Sequence, residues 1–334
     1  MYKFCDSPFS TVHVYQNGDV GLCICGAWHT KGIIGNLNTH SMAELFSSEW
    51  IEDFRNTIYD QSFKYCSKER CSKLWNLDTI DSFDHVNRHP QLPTTVYLQD
   101  IDRNCNLTCE SCSLSTQYAK EVNPAAQNIL NKLIDAYQDY PETVMLCGDG
   151  SGDVFASMAY KEFLNNPRLP KCFKLCINTN GTLLTKNLDL LEKLRDRFGS
   201  LAICFDAATP ETYKQVRGAK FELVVEGARA ARQLGIPVTA SFVVQRKNYH
   251  EILAYRDLMA DIGVSFANLQ KINRWPHMSD DWWRQNRINY NKNIDYDWLI
   301  PALKEFRDTA MPFGVSIDGA LQTLIEKHGA PTVN

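Results

Sequence analysis

The chain has 334 residues, 44% hydrophobic and 22% charged, with a formal net charge of −4. These values describe an ordinary globular chain, and the mild acidity excludes a basic face for nucleic acid. No apolar run approaches the roughly 20 residues that span a bilayer, and residues 1–6 lack the apolar core of a signal peptide, so a cytoplasmic location away from membranes is expected.

In chain order, residues 1–90 read differently from the rest. Two strand-like runs, 11–15 and 20–24, flank Gln16-Asn17-Gly18-Asp19, and Asn-Gly is a strong hairpin signal. Ser41, followed three residues later by Glu44, forms a capping-box pattern that opens a helix over 42 to about 59. Pro90 and Pro93 mark a boundary, which gives a small cysteine-rich domain over 1–90 and a large domain over 91–334.

From residue 94 strands and helices alternate. Strands are expected at 95–101, 143–147, 173–178, 201–206, 238–244 and 264–269. Helices are expected near 124–139, 157–165, 187–197, 221–234 and 249–262, with a short one capped by Thr209 and opened by Pro210. A closing helix and strand follow after residue 298. Such alternation predicts an α/β fold with a parallel sheet, here a partial, TIM-like (β/α)6 barrel, whose ligands gather at the C-terminal strand ends. The aromatic-rich stretch Arg274-Trp275-Pro276-His277-Met278 with Trp282 and Trp283 either covers the barrel mouth or packs as a loop. The eight histidines show no ligand-like spacing.

The twelve cysteines are clustered rather than scattered: five within the first 71 residues, three between 105 and 112, and four from 147 to 204. In a chain of this size and context they point to metal or redox chemistry rather than disulfides. Cys105, Cys109 and Cys112 follow the first strand of the large domain in a C-x3-C-x2-C spacing. One loop can bring those three thiolates to one centre, and soft thiolates suit iron–sulfur clusters and zinc alike. Three ligands leave a position open, as catalytic centres do. A zinc loop completed by a fourth ligand from elsewhere is the other reading of this spacing.

The string Cys-Asn-Leu-Thr-Cys-x-Ser-Cys after the first barrel strand resembles the radical S-adenosylmethionine (SAM) superfamily, especially members with SPASM or twitch auxiliary domains. The resemblance implies a SAM-binding 4Fe-4S cluster on Cys105, Cys109 and Cys112. It also implies S-adenosyl-L-methionine as cofactor, cleaved reductively to a 5′-deoxyadenosyl radical that abstracts a substrate hydrogen. Ser111 stands where many members have an aromatic residue. Cys147 to Asp153 occupies the place of the family's Gly-Gly-Glu motif. It implies that Gly150, Ser151, Gly152 and Asp153 bind SAM, with Asp153 replacing the usual Glu. Asn178-Thr179-Asn180-Gly181 is similar to the family's Thr-Asn-Gly turn and implies SAM contacts from Asn178 and Asn180. Residues 203–213, containing Cys204 and Asp206, resemble the fourth-strand end of SPASM-type enzymes. Period two puts Cys204 and Asp206 on one face, expected to be the lumen. Asp206 is expected at the cofactor, and the Cys204 thiol is either a hydrogen-atom donor or a small buried residue.

Cys5, Gly18 and Cys23 fall within the opening pattern of SPASM domains, and Cys66 and Cys71 add two more thiolates. The resemblance implies one auxiliary 4Fe-4S cluster on these four. A full SPASM domain holds two clusters, but only Cys25 remains nearby, and the domain here precedes the barrel instead of following it. Structural zinc is the alternative for the four. Cys25, Cys147, Cys172 and Cys176 read as core residues. The expected activity is oxidation, crosslinking or epimerisation of a peptide or small molecule, with an electron donor such as flavodoxin or ferredoxin as partner. The competing reading is a non-catalytic zinc or iron–sulfur interaction protein.

Overall fold

The computed structural model describes residues 1–23, 32–67, 71–75, 77–112, 118–148 and 152–329. The chain divides into two compact units: residues 1–103 with 119–176, and residues 104–118 with 177–334. Among the described residues no helix is long and apolar enough to cross a membrane.

The first unit contains β1 (Tyr2–Phe4), β2 (Thr11–Tyr15), β3 (Asp19–Leu22), β4 (Ile33–Asn36), β5 (Asp78–Ile80), β6 (Thr95–Gln99), β7 (Val144–Gly148) and the first part of β8 (Phe173–Thr179). The expected hairpin forms: β2 and β3 pair antiparallel, with Val12 opposite Leu22 and Val14 opposite Val20. Gly18 closes the turn at φ +88°, a left-handed conformation that glycine adopts without steric cost. A Cβ there would also stand 2.5 Å from Asn38 Nδ2. The hairpin does not stand apart. β2 lies parallel to β6 over five registered pairs, from Thr11–Thr95 to Tyr15–Gln99, and β6 is parallel to β7. β1 and β5 form a separate antiparallel ladder, which draws residues 78–80 back to the N-terminus.

The expected helix over 42–59 is two helices, Met42–Phe46 and Glu49–Tyr59. The capping box of Ser41 and Glu44 is present. The break comes from the serine pair: Ser47 Oγ donates to Ala43 O at 2.8 Å and Ser48 Oγ to Leu45 O at 2.9 Å, and hydroxyls that bond the preceding turn loosen a helix. The second helix buries Ile51, Phe54 and Ile58 together with Arg55. Arg55 is fully buried because its Nε donates to Pro8 O, its Nη1 meets Glu52, and its guanidinium lies over the Phe46 ring at 4.7 Å.

The second unit continues β8 and adds β9 (Phe198–Cys204), β10 (Val238–Val244), β11 (Phe266–Lys271) and β12 (Gly314–Ile317). Strands β9 to β12 run parallel in sequence order, with Cys204, Ser241, Asn268 and Ser316 in one row across them. Helices Pro210–Arg217, Phe221–Gln233, Ile252–Ile262 and Tyr296–Asp308 provide the crossovers and closing helix. Thr209 caps the first as expected, accepting from Thr212 N–H, and Gly218 and Gly263 end helices in the left-handed conformation. Ile203, Val224, Ala228, Phe242, Tyr255 and Leu303 make its core. In the aromatic stretch after β11 Met278 is buried, Trp275, Trp282 and Trp283 are half-buried, and Arg274, Pro276 and His277 are exposed; beyond it Arg246 N–H donates to Asn286 O at 2.9 Å.

Candidate metal centre and cofactor site

In the second unit the three-cysteine loop lies against the ends of β8 and β9. β8 ends at Thr179, and the turn Asn180-Gly181-Thr182 follows, with Gly181 at φ +78°. Asn180 is buried. Its Oδ1 accepts from Thr182 N–H at 2.9 Å and from Thr182 Oγ at 2.6 Å, which fixes the turn. Its Nδ2 donates to Asn106 Oδ1 at 3.0 Å and approaches Cys105 Sγ at 3.7 Å. Asn106 Nδ2 returns to Thr182 Oγ1 at 2.9 Å. The Asn-Gly turn thus acts twice, as a chain reversal and as the clamp on the first cysteine. Asn178, by contrast, is exposed.

Cys112 N–H donates to Cys109 O at 3.2 Å, a tight turn that keeps the second and third cysteines together. Glu110, between them, pairs with Lys247 Nζ at 2.6 Å and ties the loop to the segment after β10. Burial pushes the Cys109 thiol above its ordinary range, and the neighbouring Arg217 guanidinium opposes that shift. The thiolate therefore lacks full compensation from the protein, and bound iron would supply it. Among the described residues no three His, Cys, Asp or Glu side chains converge on one point for a single ion. A multi-iron cluster tolerates wider spacing, since each thiolate binds a different iron. Three half-buried thiols on one loop, none in a disulfide, are a donor set that fits such a cluster.

The strand expected over 201–206 ends at Cys204, so period two does not extend to Asp206. Asp206 sits at φ +55° and is 1% exposed, while Cys204 is half-buried and accepts from Ser241 Oγ at 3.3 Å. Both Asp206 oxygens are engaged inside the protein: Oδ1 accepts from Val243 N–H at 2.7 Å, and Oδ2 from Arg217 Nη1 at 2.9 Å. Burial pushes its carboxyl up, against Arg217 and that amide. Asn248 Nδ2 donates to Asp206 O at 2.8 Å, and Glu251 accepts from the amides of Ala208 and Thr209 and from the Thr209 hydroxyl. Asp206 therefore organises this turn and carries Arg217 to Cys109. Asn106, Arg217, Lys247, Asn248 and Glu251 are absent from the sequence-based site. The one signal for Arg217 is its position just before the helix-ending Gly218.

In the first unit Gly152 adopts φ +83°. Asp153 is buried and accepts from Phe155 N–H at 2.9 Å, while its carbonyl takes the amides of Ala156 and Ser157. Gly150 and Ser151 lie outside the described residues, as does Cys25. Of the auxiliary cysteines, Cys5 and Cys23 both act on the Lys73 ammonium, which also pairs with Asp6 and donates to Ser7 Oγ at 2.9 Å. Cys71 is two residues before Lys73, its N–H bonded to Ser67 O at 3.0 Å, and Cys66 N–H donates to Phe63 O at 2.9 Å. Burial pushes the Cys5 thiol up. Cys147, Cys172 and Cys176 are half-buried rather than core residues.

Residues 101–259 match the model of the Radical SAM superfamily, and residues 5–73 match SPASM, an iron–sulfur cluster-binding domain. The chain is 34% identical over 99 residues to a probable GTP 3′,8-cyclase of Saccharolobus islandicus, covering 28% of this chain and 30% of that protein. It is 24% identical over 221 residues to the antilisterial bacteriocin subtilosin biosynthesis protein AlbA of Bacillus subtilis, covering 62% of this chain and 48% of AlbA. It thus spans about a third to a half of the length of these relatives. In fold it is similar to Streptococcus suis SuiB bound to the precursor peptide SuiA, with TM-score 0.51 at 11% identity, over 98% of this chain and 75% of that one. SuiB bound to S-adenosylmethionine gives TM-score 0.50 over the same shares.

Proposed function

Because the chain belongs to the radical SAM superfamily, with a SPASM iron–sulfur domain at its N-terminal end, we propose that it cleaves S-adenosylmethionine reductively and abstracts a hydrogen atom from a peptide substrate. When bound, the cluster and SAM together supply a 5′-deoxyadenosyl radical. The observation that carries the reading is the loop of Cys105, Cys109 and Cys112, clamped by Asn180 at one thiol and flanked by Arg217 at another. In this reading those three thiolates hold the SAM-binding cluster. The Asn180 amide orients Cys105, and Arg217 keeps a cation beside Cys109. Asn178, exposed at the same strand end, is free to meet SAM. Cys5, Cys23, Cys66 and Cys71 hold the auxiliary cluster. A peptide is favoured over other substrates because AlbA takes part in bacteriocin biosynthesis and SuiB binds a precursor peptide. A hydrogen atom returned by the Cys204 thiol, which accepts from Ser241 Oγ, would make the reaction a redox-neutral epimerisation.

Anaerobic reconstitution tests this. About eight irons per chain are expected, four for each cluster, with 5′-deoxyadenosine formed on reduction. The triple variant C105A/C109A/C112A should lose about half the iron and all SAM cleavage, while C204A should still form 5′-deoxyadenosine. Stoichiometric zinc and intact SAM in the wild-type protein would overturn the proposal in favour of a non-catalytic interaction protein.

A further inference from the structure

The first unit carries a thiol pair that neither cluster uses. Val144 N–H donates to Cys172 O at 2.9 Å. In a parallel ladder that bond sets Val144 opposite Phe173 and, three residues on, Cys147 opposite Cys176. Alternation turns Val144, Leu146, Phe173 and Leu175 into the core and leaves Cys147 and Cys176 on the other, half-buried face. Cys176 is the main cause that pushes the Cys147 thiol well above its ordinary range, which places the two sulfurs near each other. Neighbouring strands lie about 4.8 Å apart, inside the Cα separation of roughly 4.4–6.8 Å that a disulfide spans. The ladder continues this face to Tyr97, opposite Cys147, and to His13, opposite Tyr97 and stacked on its ring at 4.8 Å.

We propose that Cys147 and Cys176 form a redox-active dithiol that closes to a disulfide by exchange with a low-molecular-weight disulfide such as oxidised glutathione. The exchange opens at one of the two sulfurs, taken as Cys176. Its thiolate displaces one glutathione thiolate and forms a mixed disulfide. Cys147 then gives up its proton, attacks the protein-bound sulfur and displaces the second glutathione. Two electrons pass from the cysteine sulfurs to the glutathione sulfurs, and the two protein protons end on the two glutathiones. This chemistry is independent of what the clusters do.

The test uses the reconstituted holoenzyme, incubated anaerobically with oxidised glutathione, alkylated, digested and read by mass spectrometry. In chains that retain their full iron content we expect a linked Cys147–Cys176 peptide pair, a loss of two alkylatable thiols, and reversal by dithiothreitol. In C147S the same treatment should leave glutathione attached to Cys176. Full alkylation of both cysteines in the treated wild type, or glutathione on both in one unlinked chain, would overturn the proposal.

Discussion

His13 is the residue whose burial has the plainest consequence. It is 5% exposed, its Nε2 has no hydrogen-bond partner among the described residues, and desolvation pulls its pKa from 6.5 down to about 4. A depressed folded-state pKa means that the folded chain binds fewer protons than the unfolded chain between those values. Its contribution is therefore complete above pH 6.5 and is lost as pH falls through about 4. The shift corresponds to roughly 3 kcal/mol. His13→Phe keeps an aromatic ring beside Tyr97 and removes the titration. Urea unfolding at pH 6.5 and pH 4 should show the wild type losing about 3 kcal/mol more than the variant over that interval. Equal losses would mean that the imidazole is already charged in the fold. The same reasoning separates Asp206 from a solvent-facing ligand. A carboxylate with both oxygens engaged and its partner Arg217 nearly buried is a structural ion pair, costly to break on one side.

Among the elements, the helix Phe221–Gln233 shows how packing overrides propensity. Gly227 lies mid-helix, where glycine costs about 1 kcal/mol relative to alanine. A Cβ at Gly227, however, would stand 2.6 Å from Gly181 O and 3.0 Å from Leu184 Cβ. A backbone carbonyl in a fixed turn cannot yield as a side-chain tip can, and overpacking costs about 1–3 kcal/mol. Gly227→Ala is therefore expected to destabilise by about 1 kcal/mol net, read from the urea midpoint. A stabilised variant would show that the helix and turn are not in close contact. Because the turn carries Asn180, the variant should also retain iron less firmly at the three-cysteine loop.

For the molecule as a whole, its two ends of the chemistry depend on metal to different degrees. The segments around Cys5 and Cys71 are joined by a ladder of three-residue strands and by the exposed Lys73–Asp6 pair. Short ladders and surface ion pairs hold little by themselves. Strands β9 to β11, in contrast, rest on a buried apolar core. Stripping the iron with a chelator should raise amide exchange at residues 2–6 and 71–80 well before β9 to β11 lose protection. Unchanged exchange there would sink the auxiliary-cluster assignment. The sequence by itself determined the strand–helix alternation, the caps at Ser41 and Thr209, the Asn-Gly turns and the three-cysteine loop, because each rests on local periodicity or on adjacent residues. Only the tertiary structure decided the rest: the parallel pairing of β2 with β6, the early end of β9 that hides Asp206, Arg217 beside Cys109, and Cys147 opposite Cys176. Those contacts join residues from 11 to 108 positions apart, and their register is set by which faces can be buried together, a condition that no local stretch of sequence contains.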